Sequence, residues 1–210
     1  MKGLANPDSK LFSLLNKLTL LMELNICVLL SCIPVVTIGA AMASMHAVLL
    51  KIYRDEEKRV AGDFFQAMKG NLKNGIILWV MYLLFLGSLA GSWVLTTLWI
   101  PGGSAYLLLG LLLAAVFGSL YLDWALILQS RYVYTIQQCL KNALLAWLKY
   151  PGSTFVYLVS MVFPLVFCFI GQLLPLGVML GITLPHFIST TLYSRVFDQM
   201  EGVSARLPKL

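Results

Sequence analysis

The hydrophobic positions of this chain fall in long blocks, separated by short segments that hold nearly all of the charge. No charged residue occurs from Asn74 to Leu122, nor from Tyr150 to Ser194 with histidine counted as neutral. Each block is far longer than the about 20 apolar residues one helix needs to cross hydrocarbon. Each is therefore predicted to fold as a helical hairpin. The stretch IPGGS (Ile100–Ser104) divides the first block into spans near 75–99 and 105–130, because proline and paired glycine break a helix. GQLLPLG (Gly171–Gly177) divides the second into spans near 152–171 and 176–194.

The charged segments set the expected orientation. Lys51, Arg54, Lys58, Arg59, Lys69 and Lys73 precede the first block. Arg131, Lys141 and Lys149 separate the two, and Arg195, Arg206 and Lys209 follow the second. The positive-inside rule puts all three segments in the cytoplasm and the hairpin tips outside. Applied to SCIPVVTIGA (Ser31–Ala40), with Lys2, Lys10 and Lys17 before it, the rule favours a third hairpin. One arm covers about 14–33, the turn falls at Pro34, and the other covers about 35–50. A 16-residue arm reaches only about 24 Å, so the bilayer is thinned there or the arms are partly re-entrant. The alternative is one long span through the uncharged core Leu24–Leu50, giving five spans and an outside N-terminus. Prolines at all three tips (Pro34, Pro101 and Pro175) favour the hairpin. The predicted fold is an all-α integral membrane protein, a single membrane domain over 1–210. Its bundle has about six transmembrane segments in three hairpins, with both termini cytoplasmic.

Composition agrees with lipid as the solvent. The chain is 60% hydrophobic and 11% charged, with mean hydropathy +0.85, against about 45–50% and about 25% for soluble domains. The net charge of +6 lies between apolar runs, which suits a membrane surface and gives no reason to expect nucleic acid. Cys27, Cys32, Cys139 and Cys168 form no CxxC pair and read as small buried hydrophobes. Ala41-Met-Ala43 fits a signal-peptidase site, but the preceding apolar run is too long and its basic lead too weak. A faint repeat is present: LKNGIILW (Leu72–Trp79) matches LKNALLAW (Leu140–Trp147), with LLNKLTLL (Leu14–Leu21) a weaker echo. Transporter folds often contain such repeats, and Leu-rich segments also match by chance.

Segment 54–73 has the clearest surface pattern. Val60, Phe64, Met68 and Leu72 recur every fourth residue, Phe65 widens the stripe, and Lys69 and Lys73 lie mostly off it. This predicts an amphipathic connector in the cytoplasmic interface. Phe64, Phe65, Met68, Lys69, Leu72 and Lys73 are its candidate partner-docking residues. Segment 132–149, with Tyr132, Ile136, Leu140 and Leu144, is a second and weaker one. Gly87/Gly91, Gly177/Gly181, Gly110/Ala114/Gly118 and Gly39/Ala43/Ala47 place small residues at helical spacing, where helices approach closely in lipid.

Ionisable groups inside apolar spans are costly and default to functional candidates. Here they are Glu23, His46, Asp123 and His186. Pro185 and Pro164 are expected to kink neighbouring spans and open a polar pocket lined by Ser160, Thr183, His186 and Ser189; the plainer reading is a histidine bonded to backbone in a packed bundle. Asp123 is expected to pair with Arg131, and Glu23 to be capped by Lys17 or Asn25, as buried ion pairs or polar contacts. There is no P-loop and no HExxH, and two histidines far apart in sequence make no metal site by spacing. No Ser/His/Asp set suggests catalysis. The expectation is no enzyme activity, no metal and no cofactor.

The run from Asn6 to Glu57, NPDSKLF…PVVTIGA…YRDEE, followed by DFFQAMKGNLKNGIILW (Asp63–Trp79), resembles the YesL family of bacterial membrane proteins. The likeness centres on PVVTIGA, the downstream Arg-Asp-Glu-Glu and the paired phenylalanines. It implies a polytopic protein of the bacterial cytoplasmic (inner) membrane. Genes of that family commonly lie beside carbohydrate ABC importers and polysaccharide-degrading enzymes. The resemblance therefore implies an accessory membrane subunit of an oligosaccharide ABC importer, with permeases and ATPase as partners. The chain is not expected to be a permease itself, since segments 51–73 and 131–149 lack the Glu-Ala-Ala loop. The alternative is a stand-alone small-solute transporter or channel with a pocket near His186.

Overall fold

The computed structural model describes residues 10–56, 59–99, 104–169 and 174–204. These form α1 (Lys10–Ser31), α2 (Ile38–Tyr53), α3 (Val60–Trp99), α4 (Ser104–Arg131), α5 (Ile136–Lys149), α6 (Pro151–Phe169), α7 (Leu174–Leu180) and α8 (Thr183–Ser204). No strand occurs among the described residues. The expected tips around Pro101 and Gly171–Leu173 lie outside the described residues, as do Lys2, Lys58, Arg206 and Lys209. Among the described residues, four segments are long and apolar enough to cross a membrane: Phe12–Ser31, Val35–Tyr53, Val60–Trp99 and Ala105–Arg131. The protein is a helical, multi-pass membrane protein.

The chain turns round at SCIPVVTIGA. The Cys32 N–H still reaches the Val28 carbonyl at 2.9 Å, but Pro34 has no amide hydrogen and α1 ends. The Thr37 hydroxyl then donates to the carbonyls of Ser31 (2.6 Å) and Pro34 (2.7 Å), clamping the end of α1 to the start of α2. A 3₁₀ turn, Val35–Thr37, leads into α2, which packs back along α1.

The connector expected at 54–73 is not a separate helix lying flat on a surface. Its residues from Val60 onward are the first turns of α3, which runs unbroken for 40 residues. The single Gly70 costs only about 1 kcal/mol relative to alanine, too little to break a helix continued by an apolar run. At 1.5 Å per residue α3 is about 60 Å long, roughly twice the thickness of hydrocarbon. Its N-terminal half packs antiparallel to α2. Lys51 Nζ pairs with Asp63 Oδ1 at 2.7 Å near one end. Gly39 meets Gly75 near the other, where a Cβ on Gly75 would stand 2.6 Å from the Cα of Ala40. Lys69 and Lys73 are thus carried alongside α2. Val60 and Phe64 are buried and Met68 is partly so, whereas Leu72 is exposed and Asn71 takes its place inside. Phase explains the difference: a strict four-residue repeat drifts off one face of a 3.6-residue helix.

Segment 132–149 does form a short amphipathic helix of its own, α5, with Cys139, Ala143 and Ala146 buried and Lys141, Leu144 and Lys149 exposed. A capping box starts α5: the Thr135 hydroxyl accepts the Gln138 N–H and the Gln138 side chain accepts the Thr135 N–H. The helix then runs back along α4. Tyr121 donates to the Leu140 carbonyl at 2.9 Å, Cys139 Sγ donates to the Ala125 carbonyl at 3.1 Å, and Phe117 meets Trp147. Both copies of the sequence repeat reach Tyr134, Asn74 through its carbonyl (3.3 Å) and Asn142 through its hydroxyl.

Two buried clusters share Met42 at their border. One joins α1, α2 and the start of α3 around Leu24, Met45, Leu49 and Phe64. The other surrounds the C-terminal half of α4, where Trp124 packs against Tyr157 and donates its indole N–H to Thr154 at 3.0 Å. Buried hydrogen bonds and close packing hold such a bundle, because lipid tails are as apolar as the side chains. Beyond Tyr82 on α3 and before Phe117 on α4 the two helices form a largely exposed apolar pair, and Tyr82 meets Ser119 where that pair joins the bundle.

Candidate polar centre

Three helices bring the ionisable groups of the apolar segments together. His46 comes from α2, Asp123 from α4 and His186 from the first turns of α8. One ligand-type atom from each lies within 4.8 Å of the other two. The imidazole ring centres are 5.3 Å apart and tilted by 53°. All three residues are buried, at 0% exposure for His46 and 4% for Asp123 and His186.

The wall around them is aromatic and hydroxylic. Tyr193 stands edge-on to His46 at 5.9 Å and donates to its backbone carbonyl at 3.4 Å, while Thr190 donates to the Tyr193 hydroxyl at 2.8 Å. Tyr157 on α6 is buried and stacks on Tyr193, with ring centres 6.3 Å apart. Both nitrogens of His46, Oδ2 of Asp123 and Nε2 of His186 are buried without a hydrogen-bond partner. Nδ1 of His186 is held by the Ile182 carbonyl at 2.9 Å. A carbonyl only accepts, so the proton sits on Nδ1 and Nε2 presents its lone pair to the centre.

Of the four residues expected to line a pocket, His186 belongs to this centre, and the hydroxyls of the other three are engaged. Ser160 donates to the Pro185 carbonyl (3.1 Å), Thr183 to the Leu21 carbonyl (3.0 Å) and Ser189 to the His186 carbonyl (2.8 Å). Pro185 does not kink a span. The segment expected at 176–194 is already broken at Gly181–Ile182, and Pro185 lies in the first turn of α8, where a missing N–H costs nothing. α6 runs through Pro164 without interruption.

Neither expected ion pair forms. Asp123 and Arg131 stand more than two turns apart on α4, about 12 Å by helical rise. The Arg131 guanidinium instead lies 5.7 Å over the Phe197 ring. Lys17 pairs with Asp55 at 3.0 Å, not with Glu23. Glu23 Oε1 accepts the Ala61 N–H at 3.2 Å, and Asn25 Oδ1 accepts the N–H groups of Ile182 and Thr183. Two neighbours on α1 therefore serve as caps for α3 and α8. Of the expected docking residues, Phe64 is buried and Met68 partly so, while Phe65, Lys69, Leu72 and Lys73 remain exposed.

His46 is the member of the centre that spacing along the chain could not place, since residues 46, 123 and 186 share no motif. One signal was available: the chain contains two histidines and both fall within uncharged apolar runs.

Residues 12–93 match the family described as "Protein of unknown function, DUF624". The match takes in α1, α2 and most of α3, less than half of the chain, and the protein is similar to that family over this region. It includes His46 but neither Asp123 nor His186. No curated protein and no solved structure matches the chain.

Proposed function

We propose that the protein is a non-catalytic accessory subunit of the bacterial cytoplasmic membrane, packing beside the permeases of an oligosaccharide ABC importer. The observation that carries this reading is the α3–α4 pair beyond the bundle. Leu84, Leu95, Leu98, Leu109 and Leu112 present apolar surface on both helices. A groove of about 310 Å³ at its base is lined by Leu78, Met81, Tyr82, Phe85, Tyr121 and Leu140. Surface of this kind suits a neighbouring membrane helix, and the engaged hydroxyls of Ser160, Thr183 and Ser189 leave little that would handle a sugar directly. The resemblance of the first 80 or so residues to the YesL family supplies the class of partner. In this reading both termini are cytoplasmic, and the exposed Lys69 and Lys73 face the partner complex.

A photo-crosslinker at Met81 or Phe85 should capture a permease subunit in cells growing on oligosaccharide. Charge reversal at Lys69 and Lys73 should weaken co-purification in mild detergent. The proposal fails if the chain purifies alone and its deletion leaves sugar uptake unchanged.

A second reading, a small-solute transporter, draws on the break between α7 and α8. Interrupted helices beside buried ionisable groups are common at transport sites. Reconstituted vesicles should then move a solute without partners, at a rate altered by His186→Ala. Absence of flux for protons, simple sugars and metal ions would exclude it.

A further inference from the structure

We infer that His46, Asp123 and His186 bind one divalent first-row transition metal ion. Four polar atoms of these residues are buried and unpartnered in one small volume. Leaving such atoms bare is costly, most of all for a carboxylate, so native structures satisfy them with water, protein or an ion. A single cation satisfies one atom of each residue at once.

The ligand chemistry selects the ion. Two imidazoles and one carboxylate suit zinc, iron, cobalt or manganese. Calcium and magnesium take oxygen-rich shells, and copper(I) prefers sulfur, which no residue of the centre offers. Bonds near 2.0–2.2 Å place neighbouring ligand atoms about 3.3 Å apart in a tetrahedron, so the observed spread closes by small side-chain rotations. The Ile182 carbonyl supplies the outer contact that metal-binding histidines characteristically make: it fixes the tautomer and aims Nε2 inward. One carboxylate leaves a divalent ion with net positive charge, and three protein ligands leave a coordination position for water. Burial of all three ligands makes the ion a resident one, tying α2, α4 and α8 together.

The test uses the full-length protein in detergent. Elemental analysis of protein purified without chelator should give close to one zinc, iron, cobalt or manganese per chain. Chelator-treated protein titrated with Co²⁺ should develop the visible bands of a four- or five-coordinate centre. His46→Ala, His186→Ala and Asp123→Asn should each weaken Co²⁺ binding by about tenfold or more. Where a variant does not fold, the wild type still decides. Adding Zn²⁺ to chelated protein should raise Tm, since an ion bound only by the native state stabilises it. X-ray absorption should then report two imidazoles in the shell. Wild-type protein with no stoichiometric metal, no cobalt spectrum and no shift in Tm would overturn the inference. That result would leave the partner reading intact, just as loss of permease crosslinks would leave the metal site intact.

Discussion

Asn25 caps the start of α8 from a distance of 158 residues along the chain: its Oδ1 accepts the Thr183 N–H at 3.0 Å and the Ile182 N–H at 3.2 Å. The first N–H groups of any helix lack internal partners, and here α1 supplies them. His186 is one turn further on, so the same contact sets the depth at which its ring enters the bundle.

Asn25→Ala is expected to lower stability by about 1–2 kcal/mol through the lost cap and two orphaned donors. Asn25→Asp, which retains an acceptor, should recover part of the loss. Thermal unfolding in detergent, followed by tryptophan fluorescence, checks both. Equal stability of Asn25→Ala and wild type would show that the cap carries no weight.

Glycine substitutions should divide by location. A Cβ at Gly75 would lie 2.6 Å from Ala40 Cα and 2.7 Å from Ala40 N, backbone atoms that cannot swing aside. Gly75→Leu should push α2 and α3 apart and cost about 3 kcal/mol, the upper end of what overpacking usually costs, because the atoms it meets are backbone. At Gly91 no atom lies within 4 Å of the added Cβ. Gly91→Ala should be neutral, or stabilising by up to about 1 kcal/mol through helix propensity. Comparing the two melting temperatures is sufficient.

The continuity of α3 makes a sharp demand on Gly70, which is exposed and has space for a larger side chain. Gly70→Pro should remove a helical hydrogen bond and cost about 3 kcal/mol or more, with the α2–α3 contact disturbed. Gly70→Ala should be harmless. A protein that accepts proline there at no cost would have a joint between connector and span.

Cys139, on the short α5 outside the predicted spans, is buried, and burial pushes its thiol from 9.0 up to about 11. The folded state therefore favours the protonated thiol. This contribution to stability is complete below the unfolded value and is lost as pH rises towards 11. With Cys27, Cys32 and Cys168 replaced by alanine, maleimide labelling of Cys139 at pH 8 should run about a hundredfold slower than in denatured protein. Rapid labelling under native conditions would contradict the packing of α5 on α4.

Helix content and the reversal at Pro34 were legible because each follows from local chemistry. An apolar run longer than one crossing must double back, and proline ends a helix whatever surrounds it. The α7–α8 break was legible only as a region. GQLLPLG marked a tip, but placing the second interruption at Gly181–Ile182, with Pro185 starting a helix, depends on how α1 and α6 receive that turn. The amphipathic stripe of 54–73 identified Val60 and Phe64 as inward-facing, yet it gave no sign that the same helix continues into the next span.

The sequence alone determined that this chain lives in lipid, as helices, with histidine, aspartate and glutamate held inside apolar segments at some cost. Those properties are sums over neighbouring residues, and neighbours along the chain are all that a sequence displays. Tertiary structure alone decided that His46, Asp123 and His186 meet, that Glu23 and Asn25 cap other helices, and that Lys69 rides beside α2. Each of these depends on crossing angles and on which backbones approach within a glycine's width, as Gly39 and Gly75 do. Such contacts join residues far apart in sequence, and no local pattern encodes them.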